Sequence, residues 1–146
     1  PNSMQRSDVE FVWPLLAELL RLDIGQSLAI RERDVIAVEA VEGTDRMIER
    51  VSAVCRAKGW TLCKGARAGH DRRSDVPTVG IQTIENLAAH GGGCLAVAAG
   101  DAMLDRADEL GIAVMGVPVA QPSARREDAE SGIHVMPSGA MASARA

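Results

Sequence analysis

The order of apolar patterns along the chain is the feature that most limits its fold. Polar residues 32–34 separate two short β-rich runs, 27–31 and 35–40, and this arrangement predicts a hairpin. Runs of helical spacing then alternate with further β-rich runs: helices over 44–58, 81–88 and 102–110, and strands over 60–64, 94–98 and 112–117. Alternating strands and helices favour parallel pairing, and the hairpin adds an antiparallel part. The sequence therefore predicts a single α/β domain with a mixed, partly parallel sheet and packed helices.

The two ends of the chain differ from its middle. Leucines at helical spacing over 15–22 follow Pro14, and proline is tolerated in the first turn of a helix, so a first helix is expected here. Residues 1–4 resemble the remnant of an expression tag. Residues 119–146 carry Pro, Ser, Gly and charged residues without a sustained period, which is typical of a disordered tail. We therefore assign the domain to residues 5–118.

Charge and cysteine content exclude several classes of protein. The formal net charge is -4 and the basic residues form no long stripe, so no nucleic-acid partner is expected. No apolar run reaches the roughly 18 residues of a membrane span, and no basic-then-apolar leader is seen, so we expect a cytoplasmic protein without a transmembrane segment. Cys55, Cys63 and Cys94 lie in apolar patterns at wide spacing, which favours reduced, buried thiols over a disulfide, a zinc site or a catalytic thiol.

Acidic residues gather where the second β-rich run is expected to end. Glu39 and Glu42 follow that run, Gly43 permits a tight bend, and Thr44 and Asp45 begin a helix. Carboxylates suit a divalent cation, and the amides of a helix N-terminus favour phosphate. A purely structural role fits the same spacing, with Thr44 as N-cap, Asp45 opposite the helix dipole and the glutamates in solvent.

A second polar segment follows the strand predicted at 60–64. Asp71 and Asp75 flank Arg72 and Arg73, and Lys64 precedes all four of them. Carboxylate oxygens can hold a hard cation, while basic side chains neutralise a diphosphate leaving group as it gains charge. An exposed, solvated charged loop is the structural alternative.

Residues spread along the chain occur in the order and spacing of one known family. They are residues 23–26, 37–45, 75–80 and 83–86, together with Lys64, Gly69, Asp71 and Arg73. Over residues 9–117 the chain resembles the C-terminal domain of the UDP-2,3-diacylglucosamine pyrophosphatases of bacterial lipid A biosynthesis. Several separate motifs in register make this resemblance more specific than either acidic segment alone.

The resemblance implies a metal-dependent hydrolase. Mg or Mn would help water attack the α-phosphorus of a UDP-linked diacylated sugar, releasing UMP and 2,3-diacylglucosamine 1-phosphate. Motif positions make Asp71 or Asp75 the catalytic aspartate. The wider set of implied site residues comprises Asp71, Asp75, Glu39, Glu42 and Asp45 for the metal, and Lys64, Arg72, Arg73, Gly43 and Thr44 for the substrate.

The resemblance also implies partners and a location. Family members bind their substrate between two domains, so an N-terminal domain is expected beside this one, and the family suggests a homo-oligomer. A lipid-linked substrate implies access from the cytoplasm to the inner-membrane surface.

The second polar segment departs from the family pattern. Residues 67–70 read Arg-Ala-Gly-His where the family usually has Lys-Pro-Gly-Gln, and Ser74 stands where the family has Phe. These changes remove rigidity and apolar packing around the aspartates. Two alternatives therefore stay open: a non-catalytic dimerisation or ligand-binding module, and a phosphohydrolase of another UDP-linked or phosphorylated substrate.

Overall fold

A computed structural model of the chain describes residues 1–65, 79–98 and 104–117. Over these residues it has four helices and one five-stranded sheet of order β2-β1-β3-β4-β5. The elements are α1 Ser3–Arg21, β1 Ser27–Arg31, β2 Asp34–Val38, α2 Thr44–Val54, β3 Trp60–Lys64, α3 Ile81–Ala89, β4 Gly92–Ala98, α4 Leu104–Glu109 and β5 Ala113–Val117. The prediction of an α/β domain with a mixed sheet is confirmed. The proposed tail, 119–146, lies outside the described residues.

Strand direction determines where the loops meet. β1 pairs antiparallel with both β2 and β3, while β3 pairs parallel with β4 and β4 parallel with β5. Consequently β2, β3, β4 and β5 all run the same way, and β1 runs against them. We call the edge at which these four strands end and β1 begins the carboxyl edge. In α/β sheets this edge is where ligands usually bind.

The two faces of the sheet are covered unequally. Of the four described helices, only α1 packs on one face, where Val12 and Leu16 belong to the same core cluster as strand residues such as Leu28. α2, α3 and α4 cover the other face, where the largest buried side chain is Trp60 of β3. Both apolar layers contain side chains that are fully buried from solvent, so the sheet forms a close-packed base for side chains at its carboxyl edge. Within the described residues, no helix is long and apolar enough to cross a lipid bilayer.

The first helix begins earlier than its sequence predicts. It starts at Ser3, with a capping box in which the Asn2 side chain accepts from the Gln5 backbone amide and the Gln5 side chain accepts from that of Asn2. Pro14 therefore lies inside the helix rather than in its first turn. Proline removes the amide that would donate to the carbonyl of Glu10, but both residues are exposed and water can satisfy that carbonyl.

The glycine run after α3 belongs largely to a strand, because β4 begins at Gly92, two residues before the start predicted from the sequence. Gly91 forms the turn with a φ of 84°, and Gly92 and Gly93 begin β4. A side chain on Gly92 would overlap with Leu87, and one on Gly93 would press against the Gly59 backbone. Close approach of neighbouring backbone and side chains, not flexibility, explains these glycines.

A buried carboxylate supports the predicted hairpin between β1 and β2. Its turn residues Glu32 and Arg33 have φ values of 54° and 65°, a left-handed conformation that favours glycine or asparagine. Asp8 of α1, fully buried, accepts hydrogen bonds from the Glu32 amide at 3.2 Å and the Arg33 amide at 2.7 Å. Helix α1 thereby stabilises a turn whose own sequence is poor for it.

Asp8→Ala is expected to lower the free energy of unfolding by about 3 kcal/mol, because two turn amides lose a charged acceptor. Urea denaturation monitored by circular dichroism measures the change. Asp34→Ala, at an exposed position in the same hairpin, serves as the control and should stay within about 0.5 kcal/mol of the parent chain. Equal losses in the two variants would show that Asp8 does not support the turn.

Candidate functional site

Four polar side chains converge at the carboxyl edge. Ser27 opens β1, Glu39 directly follows β2, Thr44 is the first residue of α2, and Lys64 ends β3. We call Ser27, Glu39, Thr44 and Lys64 the edge cluster. Ser27 is fully buried, and Glu39, Thr44 and Lys64 are only 4%, 8% and 8% exposed. Polar groups buried to this extent require hydrogen-bond partners, and here they find them in each other.

The edge cluster is one continuous hydrogen-bond chain. The Lys64 ammonium donates to the Thr44 hydroxyl, with Nζ and Oγ1 3.3 Å apart. The Thr44 hydroxyl in turn lies 3.1 Å from both Oε2 of Glu39 and Oγ of Ser27. Ser27 donates to the same Glu39 oxygen through a short hydrogen bond. A cation and an anion are thus linked through a hydroxyl, an arrangement that keeps both charges buried and fixed.

Backbone hydrogen bonds hold the strand ends that carry these side chains. The Glu39 amide donates to the Ser27 carbonyl and the Gly65 amide donates to the Gln26 carbonyl, with an N–O distance of 2.9 Å in each case. Gly25 is buried against the Glu39 backbone, and a Cβ there would overlap with the Glu39 carbonyl oxygen. The glycine of the motif at 23–26 is therefore explained sterically, because any side chain on Gly25 would collide with the Glu39 backbone.

Helices α2 and α3 both begin at the carboxyl edge on glycine. Gly43 and Gly80 are their N-caps, and neither N-cap supplies a side-chain hydrogen bond. Thr44 was an alternative N-cap on sequence grounds, but its hydroxyl belongs to the edge cluster instead. The first-turn amides of these helices give this edge a positive electrostatic character.

The other two acids of the first acidic segment, Glu42 and Asp45, form contacts outside the edge cluster. Glu42 forms an ion pair with Arg50 and accepts from the Ala40 amide. Hydrogen bonds from its own backbone and from Arg50 hold the pKa of the Glu42 carboxyl below its usual range. Asp45 accepts from Asn86 of α3. The structure therefore brings Glu39, Thr44 and Lys64 together, but places Glu42 and Asp45 in separate contacts.

The predicted catalytic segment lies outside the described residues. Asp71, Asp75, Arg72 and Arg73 all belong to 66–78, for which the structure makes no statement. The chain enters this segment from Gly65, next to Lys64, and leaves it at Val79, just before the N-cap of α3. In the three described ranges, no group of three or more His, Cys, Asp or Glu side chains is gathered as a metal ion would need. The Mg or Mn site stays a prediction.

Sequence reasoning overlooked Ser27 and the role of Gly25. Ser27 stands at the start of a strand whose next three residues are all buried and apolar. A polar residue at the end of such a run signals a buried hydrogen bond, but its partners Glu39 and Thr44 follow only after the hairpin.

The cysteines lie apart from the edge cluster. Cys63 and Cys94 are buried, and Cys55 is half-buried. Burial raises the pKa of the Cys63 thiol well above its usual range, and Cys94 and Asp8 nearby raise it further. Burial likewise raises the pKa of Cys94.

Cys55 is therefore expected to react first with a thiol reagent at pH 8, because thiolate rather than thiol is the nucleophile. Labelling followed by peptide mass spectrometry should find Cys63 and Cys94 modified only after denaturation. The Cys55→Ser variant should show almost no labelling of the folded chain. Rapid labelling of Cys63 in that variant would contradict the packing around β3.

The fold and the edge cluster together define an α/β domain with a buried polar cluster at the carboxyl ends of its parallel strands, which is where sheets of this kind usually bind their ligands. The family model of the LpxI C-terminal domain matches residues 1–115, and the chain belongs to this family. A curated relative, the UDP-2,3-diacylglucosamine pyrophosphatase LpxI of Caulobacter vibrioides, is 34% identical over 131 residues. That match covers 80% of this chain but 47% of the relative, so the chain spans about half the length of the curated relative.

Proposed function

We propose that this chain is the C-terminal half of a UDP-2,3-diacylglucosamine pyrophosphatase of lipid A biosynthesis. The reaction is hydrolysis of the diphosphate: a water oxygen bonds to the α-phosphorus, the bond to the bridging oxygen breaks, and UMP and 2,3-diacylglucosamine 1-phosphate leave. Family membership and the name of the Caulobacter vibrioides relative support the choice of substrate. The observation that carries the proposal is the buried Lys64 ammonium at the carboxyl edge, where the chain enters the segment containing Asp71 and Asp75.

Lys64 suits the diphosphate because only one of its N–H groups is used within the described residues, on Thr44. A lysine ammonium has three donors and its charge does not depend on orientation. Within the described residues the other two donors of Lys64 have no hydrogen-bond partner, and in this proposal they face phosphate oxygens, while the first-turn amides that follow Gly43 and Gly80 add favourable dipoles at the same edge. In this role Lys64 stabilises the charge that builds on the leaving phosphate.

The metal belongs to the same proposal. Among the described acids, Glu39 is already hydrogen-bonded to two hydroxyls, Glu42 to Arg50 and Asp45 to Asn86, so they do not form a metal site by themselves. Asp71 and Asp75 would be the principal ligands. Bound Mg or Mn would polarise the phosphoryl group and lower the pKa of the attacking water.

The substrate and the relative's length also imply partners. We propose that a second, N-terminal domain closes over the carboxyl edge, since this chain covers 47% of the relative. A homo-oligomer is part of the proposal because the family resemblance suggests it. Action in the cytoplasm at the inner-membrane surface is part of it because the substrate carries acyl chains. Arg72 and Arg73, which the resemblance implies as substrate residues, are proposed as further phosphate contacts.

The test joins this chain to the N-terminal half of the Caulobacter vibrioides relative and measures UMP release from UDP-2,3-diacylglucosamine with Mn²⁺, Mg²⁺ or chelator. The full-length relative is the positive control. We expect release that requires metal. Metal-dependent release from other UDP-linked substrates, but not from UDP-2,3-diacylglucosamine, would indicate a different phosphohydrolase. No release from any of them, with UMP still bound, would indicate a ligand-binding module.

A further inference from the structure

We infer that Ser27 and Glu39 are positioning residues, which hold the Lys64 ammonium at the carboxyl edge through the hydroxyl of Thr44. The ligand that Lys64 then faces, a phosphate group, rests on the proposed function. The positioning itself rests only on the geometry of the edge cluster.

Proton counting fixes the direction of the hydrogen bonds. An ammonium can only donate, so Thr44 Oγ1 accepts from Lys64. The single hydroxyl proton of Thr44 must then point to the other side, toward Glu39 Oε2 and Ser27 Oγ. Ser27 gives its own proton to Glu39. The chain of hydrogen bonds therefore runs one way, from the ammonium to the carboxylate.

The threonine is a spacer between two opposite charges. Glu39 and Lys64 are both more than nine-tenths buried, yet these two described side chains form no direct ion pair. A direct pair would draw the ammonium toward Glu39 and occupy a second N–H group. With Thr44 between them, the Lys64 ammonium uses one N–H group among the described residues, and in this proposal its other donors face the ligand.

Gly25 makes this placement of Glu39 possible. Its missing side chain lets the Glu39 carbonyl lie directly against the start of β1. The Glu39 amide also donates a hydrogen bond to the Ser27 carbonyl, which holds the Glu39 backbone against β1. Gly25→Ala is therefore expected to displace Glu39 without removing any polar group of the edge cluster.

The experiment uses the fact that the chain has only two lysines, Lys58 and Lys64. In the whole chain labelled with ¹³C,¹⁵N-lysine, nuclear magnetic resonance measures exchange of the ammonium protons with water. Lys58 is exposed and serves as an internal reference. We expect Lys64 to exchange at least about tenfold more slowly than Lys58, because it is buried and donates to Thr44.

Matched variants test each link. Thr44→Val keeps the shape but removes the hydroxyl and should accelerate exchange at Lys64 about tenfold, whereas Thr44→Ser should restore slow exchange. Ser27→Ala and Glu39→Gln should also accelerate it, with Lys58 unchanged throughout. Thermal unfolding of each variant checks that the fold persists. The inference is overturned if Lys64 in the parent chain exchanges as fast as Lys58, or if Thr44→Val leaves it slow. It is also overturned if Thr44→Ser matches Thr44→Val.

A UMP titration separates this inference from the proposed function. UMP should shift the Lys64 signals, and Thr44→Val should weaken its binding about tenfold. Slow exchange of Lys64 without any UMP effect would support the positioning but contradict the phosphate site. A UMP effect with equal affinity in Thr44→Val and the parent chain would contradict the positioning and leave the phosphate site supported.

Discussion

Replacing Asp71 or Asp75 by asparagine is expected to reduce metal-dependent UMP release about a thousandfold in at least one of the two variants. Asparagine preserves size but removes the charge needed to bind a hard cation or to accept a proton from water. Rates are measured at saturating Mn²⁺ in the chain joined to the relative's N-terminal half. Raising the metal concentration should partly restore the rate if the lost residue is a ligand, and should not do so if it is the base.

Asp34→Asn is the matched control for these two variants. Asp34 is exposed and begins β2, at the edge of the sheet opposite to the carboxyl edge. Its substitution should leave the rate within about twofold, as expected of a surface change far from the site. Near-normal rates in both the Asp71 and the Asp75 variants would show that the site assignment drawn from the family motifs is wrong.

The second large effect is expected at Lys64. Lys64→Met keeps the length and apolar stem of the side chain but removes its charge and its donors, so transition-state stabilisation is lost. We expect kcat to fall about a hundredfold, as when one preorganised donor to a developing oxyanion is deleted. A fall in kcat with a smaller change in KM would indicate that the charge acts mainly in the transition state.

The other lysine provides a direct comparison. Lys58 is exposed and lies beside Gly91, where β4 begins, so Lys58→Met changes the net charge equally but at the opposite edge. It should leave kcat and KM nearly unchanged. Equal effects of the two substitutions would mean that overall charge, rather than the position of Lys64, controls the reaction.

Much of the secondary structure could be predicted because local patterns determine it. β3 at Trp60–Lys64 has the predicted bounds, and the hairpin turns at the predicted polar residues. Two predictions failed where a local signal has more than one structural meaning. Pro14 was interpreted as a helix start, but the capping box at Asn2 begins the helix earlier. The strand predicted over 94–98 left out Gly92 and Gly93, but these glycines provide close contacts at the start of β4.

The site was predictable in part, for a physical reason. Glu39, Thr44 and Lys64 stood out as polar residues at strand or helix ends, and the structure brings them together. Ser27 did not stand out, because its place depends on β1 lying between β2 and β3. That strand order arises from long-range pairing, which no local pattern specifies. Glu42, by contrast, forms an ion pair with Arg50, eight positions away. Its position in the sequence did not show whether it would join the edge cluster or form a separate ion pair.

Paramagnetic broadening by Mn²⁺ with UMP tests most directly the claim that the carboxyl edge binds metal and phosphate. The two lysines of the labelled chain lie at opposite edges of the sheet, so their ε-methylene signals report on the two edges separately. We expect Mn²⁺ and UMP together to broaden the Lys64 signal strongly and to leave the Lys58 signal sharp, with Mg²⁺ and UMP broadening neither. A sharp Lys64 signal under saturating Mn²⁺ and UMP, or equal broadening of both lysines, would contradict a substrate site at this edge.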